Sequence, residues 1–390
     1  MNWKPATLTA AELVAGLLTK VILGFVYGYI YLHYYNGDDT WRFHNNSIAE
    51  TTLLLSDPAA FFTNDITPAH ALSEGKNWLH IIHLYLVDLQ YAILVKPLAI
   101  LNLVTRGNYY VNSFLFNCVI FYGHYLLFIV LNSLFPAQRK LFYVAVFLFV
   151  PAVFWLSGLR IDGLLFLFIT VFIYNVFIAK HKSRALMICV SFIGIVICRP
   201  ETALLIVPAT IAYFVSRRFS PLKSFSLVYG ICVFLFFASG VVGADGGLPG
   251  AVAAKQQAFL ELQGTRFNLD SLGSDLHNYI TVLPQALMNT YIRPFVWEAK
   301  GALQILAALE VVMFWSIVVA AYVYRRPDWR KILSSPPMLF LLFFSVSVYL
   351  SIGYVVPFPG AIIRYKAIAL LLQVVVLCSI AAPESKHKFI

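Results

Sequence analysis

Residues 141–180 read LFYVAVFLFVPAVFWLSGLRIDGLLFLFITVFIYNVFIAK, two apolar runs joined by one short charged turn. A helix needs roughly 17–25 mostly apolar residues to cross a bilayer, so 141–158 and 163–180 each predict one crossing. Lipid offers no partner to backbone N–H and C=O groups, so an unbroken apolar run of this length should be helical. This stretch therefore predicts two membrane helices joined by a tight turn.

The same pattern recurs along the whole chain. Of its 390 residues, 60% are hydrophobic and 12% are charged, against about 25% charged residues in soluble proteins. This composition excludes a soluble protein, a disordered chain, a secreted disulfide scaffold and a nucleic-acid binder. The predicted fold class is an all-α polytopic membrane protein, a single transmembrane domain over 1–390 with about ten transmembrane helices. The predicted spans are 8–34, 109–135, 141–158, 163–180, 185–199, 201–216, 223–244, 301–324, 335–356 and 362–382.

Basic residues set the predicted orientation. They cluster in alternate connections, and the positive-inside rule places those connections in the cytoplasm. Both termini are then cytoplasmic, and two long segments form periplasmic loops, 36–108 and 245–300. The net charge of +10 thus reflects orientation rather than binding to nucleic acid. The clusters are Arg139/Lys140, Lys180/Lys182/Arg184, Arg217/Arg218/Lys223, Arg325/Arg326/Arg330/Lys331 and, near the chain ends, Lys4 and Lys386/Lys388.

Residues 78–104 are apolar enough to suggest a further span, but one more crossing would break the alternation of every later basic cluster. The segment also carries Asp88 and Lys96, and Pro97 interrupts it. We interpret it as one or two amphipathic helices at the outer interface of the membrane. A re-entrant hairpin is the alternative.

Two adjacent carboxylates, Asp38 and Asp39, follow the first span directly. One of two neighbouring carboxylates can have a raised pKa, which suits a general base. The pair could also hold a divalent metal, or Asp39 could cap a helix that begins near Trp41. A solvated turn is the structural alternative. Arg42 and His44, together with Trp41, are candidate accessory residues.

Four other outer connections carry a basic residue at the predicted lipid–water boundary, against the positive-inside preference. Each one alone is explained by an ion pair, a helical turn or an interfacial anchor. Together they predict a basic ring for a lipid-linked phosphate, because charge at this depth needs an anionic partner. The candidate phosphate-binding residues, with their neighbours, are Arg160 and Asp162, Arg199 and Glu201, Arg293 and Glu298, and Arg364 and Lys366.

This arrangement resembles the GT-C superfamily of integral-membrane glycosyltransferases, whose first span precedes a long outer loop with an Asp or Asp-Asp near its start. The resembling segments are Gly37–His44, Trp155–Leu164, Arg199–Glu201, Arg293–Glu298 and Gly360–Lys366, with interfacial helices expected in 78–104. The resemblance implies that Asp38 or Asp39 is the base that deprotonates the acceptor hydroxyl. It also implies that outer arginines contact the donor phosphate.

The predicted function is transfer of a sugar from a polyprenyl-phosphate donor to an acceptor hydroxyl on the periplasmic face of the bacterial inner membrane. The acceptor class stays open among glycan, lipid and protein, and membrane lipids are the other expected partners. No cofactor is required, although a divalent cation, Mg²⁺ or Mn²⁺, held by Asp38 and Asp39 stays open. The alternatives are a non-enzymatic translocator of lipid-linked sugars and a polysaccharide polymerase or ligase.

Overall fold

Long apolar helices make up most of the chain, as the composition predicts. The computed structural model describes residues 8–242, 246–299 and 301–382. Within these ranges no strand forms, and the only β pairing is an isolated bridge between Arg325 and Ala381. Eight helices among the described residues are long and apolar enough to cross a membrane, which makes this a multi-pass membrane protein.

The apolar helices follow the predicted runs, whereas other helices form within the two segments predicted as outer loops. In the first half of the chain the helices are α1 (Ala10–Tyr35), α2 (Asp38–Ser56), α3 (Pro58–Thr63), α4 (Ala69–Glu74), α5 (Trp78–Thr105), α6 (Tyr109–Leu134), α7 (Arg139–Tyr143), α8 (Val150–Trp155), α9 (Ile161–Phe177) and α10 (Arg184–Cys198). In the second half they are α11 (Pro200–Val215), α12 (Pro221–Val242), α13 (Gly247–Glu261), α14 (Leu276–Tyr291), α15 (Ala302–Val323), α16 (Trp329–Leu333), α17 (Pro336–Val355) and α18 (Pro359–Ile380). Helices α2, α3, α4, α13 and α14 are those that form within the predicted outer loops.

Local sequence explains many of these boundaries. Four of the apolar helices, α11, α12, α17 and α18, begin at a proline. Proline suits the first helical position, because the N–H group that it lacks would have no partner there in any case. Helix α1 begins instead with a capping box, in which Glu12 N–H donates to the Thr9 hydroxyl at 3.2 Å and Thr9 N–H donates to the Glu12 carboxylate at 2.8 Å.

Two predictions about the spans are refined. The run 141–158 is not one regular helix, because a π-helical turn (Val144–Leu148) separates α7 from α8. Helices α9, α10 and α11 have 17, 15 and 16 residues, which is at or just below the shortest length that crosses a bilayer. The described helices therefore confirm a polytopic protein, while the count of ten crossings stays a prediction. The terminal residues Lys4, Lys386 and Lys388 lie outside the described ranges.

Residues 78–104 form one continuous helix, α5, and Pro97 does not break it. The alternative of a re-entrant hairpin is therefore wrong. Helix α5 runs antiparallel along the polar helix α2, where Lys96 Nζ pairs with the Glu50 carboxylate at 2.8 Å and the Asn102 amide donates to the Ser47 hydroxyl at 3.0 Å. Its part from residue 80 to 105 is also long and apolar enough to span. An interfacial position for α5 stays a prediction.

The described residues divide into two compact units, those of 8–136 with 146–203, and those of 137–145 with 204–382. In the first unit α6 packs between α1 and α9, α9 packs on α10, and α5 packs on α2. In the second unit α18 packs between α15 and α17, and α14 packs along α17. The predicted outer segment 245–300 is thus largely helical, and its helix α14 is held against the apolar helix α17.

Candidate functional site

The carboxylates Asp38 and Asp39 form the first turn of α2, just after a sharp reversal of the chain. Asn36, Gly37 and Asp38 all have positive φ angles of 52°, 105° and 26°. Glycine adopts this left-handed region freely, and Asn and Asp tolerate it better than most residues. Gly37 caps α2, so the expectation that Asp39 caps a helix beginning near Trp41 is wrong. Both carboxylates instead lie at the helix N-terminus, where negative charge is stabilised.

Arg160 binds both carboxylates, although it lies 122 residues after Asp38 and 121 residues after Asp39 in the chain. Its Nη1 donates to Asp38 Oδ2 at 2.6 Å and to the Tyr27 hydroxyl at 3.0 Å, and its Nη2 donates to Asp39 Oδ2. The Arg160 side chain is 3% exposed, whereas Asp38 and Asp39 are 29% and 30% exposed. The guanidinium is therefore buried behind a pair of carboxylates that keeps an accessible face.

The cluster continues into the next turn of the chain. Asp162, in the first turn of α9, has its Oδ2 3.8 Å from Arg160 Nε, and its Oδ1 accepts from Arg199 Nη2 at 2.8 Å. Arg42, one turn along α2, pairs with Asp39 Oδ1 at 3.0 Å and is largely exposed. Asp38, Asp39 and Asp162 are thus linked by Arg42, Arg160 and Arg199 into one network.

Burial alone would lower the pKa of Arg160, because it disfavours the charged form. The Tyr27 hydroxyl and the three surrounding carboxylates outweigh that cost and raise the pKa well above its ordinary value. Arg160 therefore stays charged at every accessible pH, and the carboxylate pair keeps a permanent cation.

Aromatic residues fix the position of α2 and hence of both carboxylates. The Trp41 ring stacks on the Tyr109 ring with centroids 4.0 Å apart, and Trp41 Nε1 donates to the Gly28 carbonyl at 2.9 Å. The Thr40 and Tyr109 hydroxyls share a hydrogen bond of 2.8 Å. His44 is buried edge-on against Tyr109, and burial lowers its pKa, which favours the neutral imidazole. The contacts of Trp41 and His44 thus hold the helix in position.

A buried amide network anchors the same helix. The Asn112 amide donates to Asn102 Oδ1 at 2.7 Å, the Asn102 amide donates to the hydroxyls of Ser47 and Thr51, and the Thr105 hydroxyl donates to Asn112 Oδ1 at 2.7 Å. The sequence analysis missed these positioning residues, as it missed Tyr27 and Tyr109. A signal was present, because buried amides inside apolar helices need hydrogen-bond partners.

Four of the remaining candidates lie in the second unit, Arg293, Glu298, Arg364 and Lys366, whereas Glu201 lies in the first. Arg293 Nη2 pairs with Glu298 Oε1 at 2.6 Å, and the Arg293 guanidinium lies over the Phe267 ring, 4.4 Å from its centroid. This hydrogen bond from Arg293 lowers the pKa of Glu298. The Arg364 guanidinium lies over the Tyr365 ring at 4.7 Å. Glu201 lies in the first turn of α11.

Lys366 is a buried residue rather than a surface one. Its Nζ lies 3.2 Å from Glu310 Oε1 and donates to the Thr290 carbonyl at 3.3 Å, while the two charged side chains are 3% and 4% exposed. A charge inside a membrane helix is costly unless it is paired. The Lys366–Glu310 pair therefore ties α18 to α15, and the bond to Thr290 ties both to the end of α14.

The predicted site residues thus fall into separate groups. Asp38, Asp39, Arg160, Asp162 and Arg199 share one network, Arg293 pairs with Glu298, and Lys366 pairs with Glu310. Convergence of all four arginines on one cavity stays a prediction. A groove of about 730 Å³ in the second unit has an almost entirely apolar lining, with one wall formed by residues 292–297 and the other by α15.

The donor set at Asp38 and Asp39 does not fit a divalent metal. The described residues contain no group of three or more His, Cys, Asp or Glu side chains arranged to hold an ion. One oxygen of each carboxylate is already taken by the same buried guanidinium, which would repel a second cation. Asp38 and Asp39 therefore form an arginine-bridged pair in this fold.

Comparison of the chain with protein families, with curated proteins and with solved structures finds no match. The GT-C resemblance therefore rests on the segments quoted above. The function has to be argued from the geometry of the site.

Proposed function

We propose that this protein is a membrane glycosyltransferase that moves a sugar from a polyprenyl-phosphate donor to an acceptor hydroxyl. The reaction would take place on the periplasmic face of the bacterial inner membrane. The observation that carries the proposal is the Asp38/Asp39 pair, presented by a rigid helix and aimed by a buried arginine. A general base must be held at a defined position, and this pair is held both by the helix α2 and by the buried Arg160.

The proposed step is an inverting displacement. Asp38 or Asp39 takes the proton of the acceptor hydroxyl, and the acceptor oxygen attacks the anomeric carbon of the sugar. The bond from that carbon to the phosphate oxygen breaks, and polyprenyl phosphate leaves with the bonding electrons. Cationic groups that face the developing phosphate charge would stabilise the transition state.

The contacts of each arginine refine its proposed role. Arg160 is buried and engaged with carboxylates, so it serves the base rather than the phosphate. Arg199 and Arg42 are more exposed, at 20% and 65%, and lie at the edge of the network, where Arg199 contacts Asp162 and Arg42 contacts Asp39. They are the better candidates for the donor phosphate in the first unit.

A translocator of lipid-linked sugars would need charged groups along a path through the membrane. Buried charged groups do occur within apolar helices of the described chain, among them Lys20, the Lys366–Glu310 pair and Lys96, which pairs with Glu50. Lys20 Nζ donates to the Leu156 carbonyl at 2.9 Å, at the end of α8, and is fully buried. Each of these groups has an internal partner, which favours the enzyme over the translocator.

The test is an assay of the purified protein with a panel of polyprenyl-phosphate sugars, measuring released polyprenyl phosphate. Asp38→Asn or Asp39→Asn should lower turnover at least about a hundredfold, since a general base contributes roughly 10²–10⁴-fold. Asp57→Asn is the matched control, because Asp57 is an exposed residue that caps α3. Near-normal turnover in both single variants would show that neither aspartate is the base, and no release from any donor would refute the transferase.

A further inference from the structure

The Arg160 guanidinium occupies the place that a metal ion takes in many carboxylate sites. It lies between Asp38 and Asp39, which belong to one chain segment, and Asp162, which belongs to another. Mg²⁺ and Mn²⁺ favour carboxylate and other oxygen ligands, which for Mg²⁺ lie at about 2.0–2.1 Å in an octahedral arrangement. A guanidinium instead offers a planar fork of N–H donors that matches two carboxylate oxygens.

We propose that Arg160 replaces a divalent cation in this site, so that the Asp38/Asp39 pair binds no metal and acts without one. That the pair acts without a metal rests on the proposed function, whereas that the pair binds no metal does not. Arg160 is thus assigned as a positioning residue that acts through the two aspartates.

Burial and hydrogen bonding make this arginine a permanent part of the site. Its Nη1 also donates to the buried Tyr27 hydroxyl, which fixes the plane of the guanidinium. An arginine cannot lose its proton in a protein, and a covalently attached cation cannot dissociate. The carboxylates keep the other side of the pair accessible, so an incoming hydroxyl can approach without displacing Arg160.

The same geometry predicts a latent metal site. Removing the guanidinium leaves the carboxylates of Asp38 and Asp39 without the cation that they share, and one or two carboxylates with water ligands are a common way to hold Mg²⁺. The two neighbouring carboxylates would repel one another, and a divalent cation would relieve that repulsion. Arg160→Ala should therefore gain affinity for Mn²⁺ that the natural protein lacks.

The experiment titrates the full-length protein in detergent with Mn²⁺ and follows the paramagnetic resonance signal of the free ion. The natural protein and an Asp38→Asn/Asp39→Asn variant should take up equal amounts of Mn²⁺. Arg160→Ala should take up one additional equivalent, and adding Asp38→Asn and Asp39→Asn should abolish that gain. Arg42→Ala is the matched control, because it removes an exposed arginine from the same network and should gain nothing.

Two results would overturn the proposal. One is Mn²⁺ uptake by the natural protein that disappears in the double Asn variant. The other is a folded Arg160→Ala protein without additional uptake. If Arg160→Ala does not fold, Arg160→Gln takes its place, and the comparison of the natural protein with the double Asn variant decides by itself. Chelators should leave turnover unchanged. If the protein turns over none of the donors, the proposed function is refuted, but the Mn²⁺ titration still decides whether Arg160 replaces a metal ion.

Discussion

The buried pair of Lys366 and Glu310 allows a sharp test of what holds the second unit together. In Lys366→Met, the Glu310 carboxylate loses an ammonium 3.2 Å away in a place where water has almost no access. Breaking a buried ion pair from one side costs about 3–5 kcal/mol, because the remaining charge stays desolvated. We expect a loss of that size for Lys366→Met and a similar loss for Glu310→Leu.

The double variant Lys366→Met/Glu310→Leu should recover most of this loss. Replacing both charges with apolar side chains of similar size removes the desolvation cost, and such replacements are often neutral or stabilising. The free energy of unfolding can be measured by titration with SDS and followed by tryptophan fluorescence. Trp315 is a useful reporter, because its Nε1 donates to the Tyr291 carbonyl at 2.8 Å, next to Thr290. Lys76→Met, at an exposed position, should change the unfolding free energy by less than about 0.5 kcal/mol.

Additive losses in the double variant would refute the pairing, since residues in contact should show a coupling energy. Small losses in both single variants would refute it too. The same proteins separate a structural role of Lys366 from its predicted role in phosphate binding. If Lys366 also binds the donor phosphate, the stable double variant should lose turnover. If the pair is purely structural, turnover should follow stability.

Three further predictions concern topology, packing and pH. In a cysteine-free background, Asn64→Cys should be labelled from the outer face and Lys182→Cys from the inner face, and labelling of both from one side would contradict the orientation. In Gly28→Ala, the added methyl group would lie 2.2 Å from the Tyr109 ring. This overpacking should lower the free energy of unfolding by about 1–3 kcal/mol, and turnover should fall because Tyr109 positions α2. Unchanged thermal stability would contradict this packing. Arg293 lowers the pKa of Glu298 below its ordinary value of 4.5. The ionised Glu298 therefore stabilises the fold above pH 4.5, and this stabilisation is lost as the pH falls through the lowered pKa. Melting curves of Glu298→Gln should therefore depend less on pH in acid, and an unchanged acid dependence would contradict the pair.

The sequence alone determines the helices of this protein and much of their extent. A long apolar run has one common solution in lipid, because every backbone group must find its partner within the segment. Prolines and charged turns then mark the ends, as at Pro200 and Pro359, where the predicted starts differ from the observed ones by one and three residues. The start of α2 is an exception, because the sequence suggested a helix beginning near Trp41 and the observed helix begins at Asp38.

The tertiary structure decides how the charged side chains pair. Nothing in the sequence assigns Arg160 to Asp38 and Asp39 or Lys366 to Glu310, because partners that lie 50 or more residues apart meet only after the helices have packed. The same holds for α5, whose apolar pattern fits a span, an interfacial helix or a hairpin equally well. The packed structure makes α5 one continuous helix against the polar helix α2. Local preference acts over a few residues, whereas the energy of a buried charge depends on which distant segment supplies its partner.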